Sequence, residues 1–187
     1  MARPLSAALV VFLVAAGPAA ADAESFGAPG RVLVWGAVAL QNVSSDAPGS
    51  RSVTTLELSP GAQLFVAKNV AVGAELQILF ATGGASLTSI GFLPSLGYNL
   101  DLAMGISWLP RVQLGVSSTS LSNGGSSVAV TRLSLGIAAP LIIRPAGNVF
   151  FGVGPRLLYD VAASASGNGA AARELIIGLQ SSIGGWF

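Results

Sequence analysis

The sequence predicts an all-β chain: an eight-stranded antiparallel up-and-down transmembrane β-barrel, preceded by a cleaved signal peptide. Three observations carry this expectation. Charged residues make up 9% of the 187 residues and apolar ones 52%, whereas a soluble domain carries roughly 25% charged residues. From residue 31 onward apolar and polar positions alternate with period two, which marks strands with unlike faces. The connectors alternate between tight turns and longer Ser-, Gly-, Asn- and Ala-rich stretches, as in a meander with two distinguishable ends.

The first segment is for targeting. Arg3 supplies a positive start, and Leu5 to Ala16 is an apolar run too short to span a bilayer. Gly17 and Pro18 break it, and Ala19-Ala20-Ala21 fits the small-x-small pattern for cleavage before Asp22. Ala21-Asp22-Ala23 is a second cleavage pattern, which would take the leader to residue 23. The chain has no Cys, so a lipoprotein anchor is excluded. The expected division is a signal peptide over 1–21, a short lead over 22–30 and the barrel over 31–187.

The strands are expected at 31–42, 53–67, 70–81, 89–99, 102–117, 128–143, 148–161 and 173–187. In 31–42 both parities are apolar and Trp35 has no assigned face. Over 53–67, Leu56, Leu58, Ala62, Leu64 and Val66 oppose Thr55, Glu57, Ser59 and Gln63. Over 70–81, Val70, Val72, Leu76, Ile78 and Phe80 oppose Gly73, Glu75 and Gln77. Over 102–117, Leu102, Met104, Ile106, Trp108, Val112, Leu114 and Val116 oppose Ser107, Arg111 and Gln113. Leu133, Leu135 and Ile137 oppose Arg132 and Ser134; Leu175, Ile177, Leu179 and Ile183 oppose Glu174, Gln180 and Ser182. Tight turns are expected at Lys68-Asn69, at Asn99-Leu100-Asp101 and at 144–147. Longer loops are expected at 43–52, 82–88, 118–127 and 162–172. Pro60, Pro94, Pro110, Pro140 and Pro155 fall inside these strands; proline removes a ladder donor, so bulges or outward kinks are expected there.

The polar set decides which face is outside. It is mostly Gly, Ala, Ser and Gln with about one charge per strand, too little for a soluble surface. The bulky apolar set therefore faces lipid, and only a closed barrel satisfies its backbone there. The polar set then lines the lumen with Glu57, Glu75, Asp160 and Glu174 against Arg111, Arg132 and Arg156. Such ions are expected to pair, because an isolated buried charge is expensive. Eight strands leave a lumen just wide enough for side chains, and Phe65, Leu93, Leu109, Phe150 and Leu158 share it. A plug is expected; a narrow pore for ions or small solutes is the alternative. Tyr98, Phe151, Trp186 and Phe187 stand where an aromatic belt would form at the end near the termini.

Two features carry a family resemblance. Gly91-Phe92-Leu93-Pro94-Ser95-Leu96-Gly97-Tyr98 and Gly152-Val153-Gly154-Pro155-Arg156-Leu157-Leu158-Tyr159 resemble each other, and resemble the Gly-x-x-Pro-x-Leu-x-Tyr strands of small OmpA-like and OpaA-like outer-membrane barrel domains. The ending Ile183-Gly184-Gly185-Trp186-Phe187 resembles the signal by which the barrel assembly machinery accepts its substrates, although Ser181 and Gly185 stand where larger apolar residues are common. The resemblance implies a Gram-negative cell envelope, outer-membrane lipid and the assembly machinery as partners, and both termini in the periplasm. No peptidoglycan-binding domain like that of true OmpA proteins is expected here, so the resemblance does not imply cell-wall anchoring.

Catalysis is not written in the sequence. The chain has no His and no Cys, which removes His-based triads, thiolates and the usual zinc and haem ligands. The enzyme families known on small outer-membrane barrels rely on a catalytic His. No cofactor is expected, and scattered basic residues with a net charge of +1 give no footprint for nucleic acid. The expected role is structural or one of surface interaction, with any extracellular partner reached through the loops.

Overall fold

The computed structural model describes residues 26–45, 53–82, 86–123, 126–145, 147–166 and 171–187. The segment read as a signal peptide, with its expected cleavage sites, lies outside the described residues. Eleven strand segments follow in order: β1 (Val32–Ser45), β2 (Val53–Ala67), β3 (Val70–Thr82), β4 (Ser86–Tyr98), β5 (Leu100–Ala103), β6 (Ile106–Trp108), β7 (Arg111–Asn123), β8 (Ser126–Ala138), β9 (Leu141–Ile143), β10 (Val149–Ala165) and β11 (Glu174–Trp186). All pair antiparallel. The long segments close a ring of eight in the order β1-β2-β3-β4-β7-β8-β10-β11, with β11 returning to β1 from Leu33↔Trp186 to Ser45↔Glu174. Closure leaves the eight long segments without an open edge, which an apolar exterior demands.

The three short segments continue their neighbours. β5 extends β4, β6 leads into β7 and β9 follows β8, and β6 pairs with both β5 and β9 as β7 pairs with β8. Two interruptions fall at Pro110 and Pro140, which have no N–H to give the ladder. The ladder is patched around them. Tyr98 N donates to Pro110 O, Leu109 N to Pro140 O and Ala139 N to Pro155 O, each at 3.0 Å. The Trp108 indole Nε1 donates to Ala139 O at 3.1 Å. Pro60, Pro94 and Pro155 stay inside continuous strands. The register shifts occur elsewhere, at Phe65/Ala67, Asp101/Ala103 and Asp160/Ala162, so the bulges expected at the prolines are not where the strands bulge.

Strand boundaries differ from the sequence expectation at both ends of the barrel. The turn expected at Asn99–Asp101 lies instead at Met104-Gly105, where Gly105 takes a φ of 74°. Leu102 and Ala103 therefore end the preceding strand rather than begin the next. Asn99 and Asp101 resemble turn residues, but the chain reverses where the glycine permits a left-handed conformation. Asn69, with a φ of 64°, makes the turn after β2 as expected. At the opposite end the strands outrun their expected ends. Residues 43–45, 82, 86–88, 118–123, 126–127 and 162–165, read as loop, belong to β1, β3, β4, β7, β8 and β10, with β7 and β8 paired here from Ser118↔Thr131 to Asn123↔Ser126. Hydroxyl residues on both faces erase the alternation signal without preventing pairing.

The faces sort as the alternation requires. Leu56, Leu76 and Leu135 are about half exposed on the outside, while Glu57 and Arg111 are buried inside. Phe65, Leu93, Leu109, Phe150 and Leu158 also point inward, and Trp35 joins them. On β7 and β8 the outer apolar band has a legible upper edge: Val116 and Leu133 are followed one step on by Ser118 and Thr131, which pair with each other, and Thr131 pairs with Ser164 of β10, while Ile90 of β4 carries apolar surface to the same level.

The lumen is layered. Near the termini lies an apolar cluster of Phe26, Leu33, Trp35, Ala37, Phe65, Ala71, Leu109, Ile142 and Phe150, with Trp186 packed against it. Trp186 thus turns toward the mouth of the barrel instead of joining a lipid-facing belt, while Tyr98, Phe151 and Phe187 are exposed as a belt requires. Phe26 comes from the lead, so part of residues 22–30 belongs to the barrel's interior packing.

Candidate functional site

Above the apolar cluster the inward positions turn ionic. Arg156 rises from the middle of β10, Glu57 from β2 and Glu75 from β3, and all three are at most 2% exposed. Glu57 pairs with Leu79 of β3, whereas Glu75 pairs with Gly61 of β2. The two carboxylates therefore stand at different heights, and the guanidinium of Arg156 reaches both. Its Nη1 bonds to Glu57 Oε1, and its Nη2 lies 3.4 Å from Glu75 Oε1. Arg111 at the start of β7 donates from Nη2 to Glu75 Oε2 at 3.0 Å and to Gln180 Oε1 at 3.1 Å. Gln77 donates to Glu57 Oε2 at 2.6 Å, and the Ser59 hydroxyl also donates to Glu57. Two arginines meet two glutamates, so the layer is neutral. The Arg111 guanidinium also stacks on Trp35, 4.8 Å from the ring centroid, which joins the ionic layer to the apolar cluster below.

A second layer sits toward the opposite end. Arg132 of β8 pairs through Nε with Asp160 Oδ2 at 3.1 Å and through Nη2 with Glu174 at the head of β11. Its Nη1 donates to Thr119 Oγ1 at 3.0 Å, and Thr119 donates onward to Ser89 at 3.0 Å. Ser134 donates to Asp160 Oδ1 at 2.6 Å, and the Glu174 backbone N–H donates to Asp160 Oδ2 at 3.0 Å. Glu174 is only partly buried, so this layer is the wetter of the two.

The seven charged residues singled out in the sequence thus fall into two groups: Glu57, Glu75, Arg111 and Arg156 in one, Arg132, Asp160 and Glu174 in the other. Of the polar residues that complete their hydrogen bonds, Ser59, Gln77, Ser134 and Gln180 were legible only as members of the inward set, and Thr119 lay in an expected loop. A third ionic group was not anticipated. At the terminus end Asp101 accepts from Ser107 at 2.8 Å and from Asn99 at 3.1 Å, and Arg144 reaches it at 3.4 Å. Trp186 and Phe187 occupy the last positions of the closing strand. Phe187 exchanges backbone bonds with Val32, N to O at 3.0 Å in both directions.

Among the described residues no group of three or more His, Cys, Asp or Glu is placed to hold a metal ion. Buried guanidinium–carboxylate pairs with amide and hydroxyl donors hold one another in place; they offer no activated nucleophile.

No protein-family model matches the sequence, and no curated protein matches it. Solved structures do match. Neisserial surface protein A (NspA) superposes with a TM-score of 0.64 at 15% identity, over 82% of this chain and 98% of that one. Ail, the attachment invasion locus protein of Yersinia pestis, gives 0.58 at 13% identity over 85% and 99%. OprG, an outer-membrane protein of Pseudomonas aeruginosa, gives 0.52 at 14% identity over 86% and 97%. Nearly the whole length of each neighbour is matched while the sequences have diverged, so what is shared is architecture. This chain has the fold of the small eight-stranded outer-membrane β-barrels.

Proposed function

We propose that the protein is an integral outer-membrane barrel with a structural or surface-interaction role, its lumen closed by its own side chains. The observation that carries this reading is the central ionic layer. Arg156 spans the lumen between Glu57 and Glu75, Arg111 completes the set, and none is exposed. An ion crossing the barrel would have to displace a fully buried, charge-neutral network, which is costly because any severed partner is left as an uncompensated buried charge. The apolar clusters on either side, one around Phe65 and Phe150 and one of Leu93, Leu158 and Ile176, leave the same cross-section occupied by hydrocarbon.

Surface interaction is supported by the end of the barrel remote from the termini. Beyond the Ser118–Thr131 level, β7 and β8 continue to the pair Asn123↔Ser126, with Ser120 exposed on β7 and Ser166 exposed just past the end of β10. β10 has 17 residues, against roughly 9–11 needed to cross a bilayer at ~45° tilt. The exposed hydroxyls of Ser118, Ser120, Thr131 and Ser164 give that end of the barrel a polar rim. Neisserial surface protein A and the attachment invasion locus protein are named for the cell surface, which supports this side of the reading by fold analogy alone. In the same reading both termini face the periplasm, Trp186 and Phe187 serve recognition by the barrel assembly machinery, and the protein is not an enzyme.

Refolded protein in planar bilayers should show heat-modifiable migration on gels together with electrical silence. Steady single-channel openings of the native chain would replace the closed barrel with the pore. In intact cells, a thiol at Ser120→Cys should react with a membrane-impermeant maleimide and one at Lys68→Cys should not. The reverse pattern would turn the barrel over.

A further inference from the structure

The lead enters the barrel instead of hanging from it. Phe26 is 3% exposed and sits edge-on to three rings: Phe65 at 5.8 Å, Phe150 at 6.1 Å and Trp186 at 5.3 Å between centroids, with interplanar angles of 70° to 88°. The guanidinium carbon of Arg144 lies 4.5 Å from the Phe26 centroid. One ring is thus held by three aromatic edges or faces and one cation, an arrangement that favours a planar π-system over an aliphatic group of equal size.

The backbone behind Phe26 is tied to the rim. Asn69 N donates to Gly27 O at 2.8 Å, and Gly30 N donates to Phe65 O at 2.7 Å. Gly27 is pressed against the Asn69 side chain so closely that a Cβ would fall 2.0 Å from Asn69 Oδ1. Arg144 is held in turn by Asp101. The contributing residues come from the lead, β2, β10, β11 and the turn before β10, so they converge only when β11 has closed on β1.

We propose that the mouth of the barrel at the terminus end is a seat for a single aromatic ring, filled in cis by Phe26, and that residues 26–30 are thereby a cork that shuts the lumen on that side. The seat is separate from the ionic layer, so the cork is a second barrier in series with it. With the ring withdrawn, the pocket bounded by Phe65, Phe150, Trp186 and Arg144 takes a small neutral aromatic molecule.

The test uses the full mature chain folded in detergent, with Ala71→Cys as a reporter in the buried cluster and a small cationic methanethiosulfonate as the reagent. With Phe26 present the thiol should be protected. In the Phe26→Ala background it should react at least about tenfold faster, as for a site whose local opening has become easy. Saturating benzene should restore protection in that background and leave the parent unchanged. Equal rates in the two backgrounds would overturn the cork, and fast labelling that benzene fails to slow would overturn the aromatic seat. Should Phe26→Ala not fold alone, it is refolded with benzene present and the thiol rates are compared before and after benzene is removed; failure to refold with benzene overturns the aromatic seat. Because the readout is thiol chemistry and not conductance, failure here is distinguishable from failure of the closed-lumen reading.

Discussion

Replacing Arg156 by Met tests the central layer most directly, because the side chain keeps an unbranched apolar stem and loses the charged guanidinium. The side chain is 1% exposed and Glu57 is fully buried. After the change Glu75 retains Arg111 at 3.0 Å, but Glu57 keeps only Gln77 and Ser59, which donate hydrogen bonds and carry no charge. One carboxylate is then buried without a counter-ion, and breaking a buried pair in this way costs about 3–5 kcal/mol. At ~1.4 kcal/mol per decade, that lowers the folding equilibrium constant by roughly two to almost four orders of magnitude. The reciprocal change, Glu57→Gln, is milder at about 1–2 kcal/mol, since Arg156 still has Glu75 and the amide oxygen still accepts. The pair Arg156→Met with Glu57→Met removes both charges and should recover most of the loss. Stability is read by urea titration of protein folded into lipid vesicles, following the heat-modifiable band and tryptophan emission. If Arg156→Met stays within about 1 kcal/mol of the parent, or the double replacement is no better than the single one, the layer is hydrated and the reasoning from burial fails.

The outer band predicts a dependence on depth. Leu76→Arg, within the band, should cost about 2–4 kcal/mol, while Thr131→Arg at its polar edge should cost ~0–1; equal costs in the same titration would erase the edge drawn at Ser118 and Thr131. Packing at the strand interruption gives a contrast between glycines. A Cβ on Gly154 would meet Ala139 O at 2.4 Å and Pro140 Cα at 2.5 Å, whereas one on Gly36 meets nothing within 4 Å. Gly154→Ala should therefore lose about 1–3 kcal/mol through overpacking against backbone, and Gly36→Ala should be neutral to within about 0.5 kcal/mol; a neutral Gly154→Ala would mean that the break at Pro140 yields freely.

The sequence alone determined which way most strand side chains face. Alternation is a local property of a strand, so the outward Leu56, Leu76 and Leu135 and the inward Glu57, Arg111 and Glu174 could be assigned without knowing any partner. It also determined the eight-fold count, because an interrupted strand such as β8–β9 keeps its parity through Pro140. It failed where local cues have more than one outcome: the Asn99–Asp101 stretch runs on as strand until Gly105, and the serines of β7 pair as readily as they would loop. Only the tertiary structure decided which charges meet. Arg156 and Glu57 are 99 residues apart, and their encounter depends on the stagger with which β11 closes on β1, a property of the whole ring that no segment carries. The inward turn of Trp35 and Trp186 and the seating of Phe26 follow from the same closure, since the ring that buries them exists only when the first and last strands have paired.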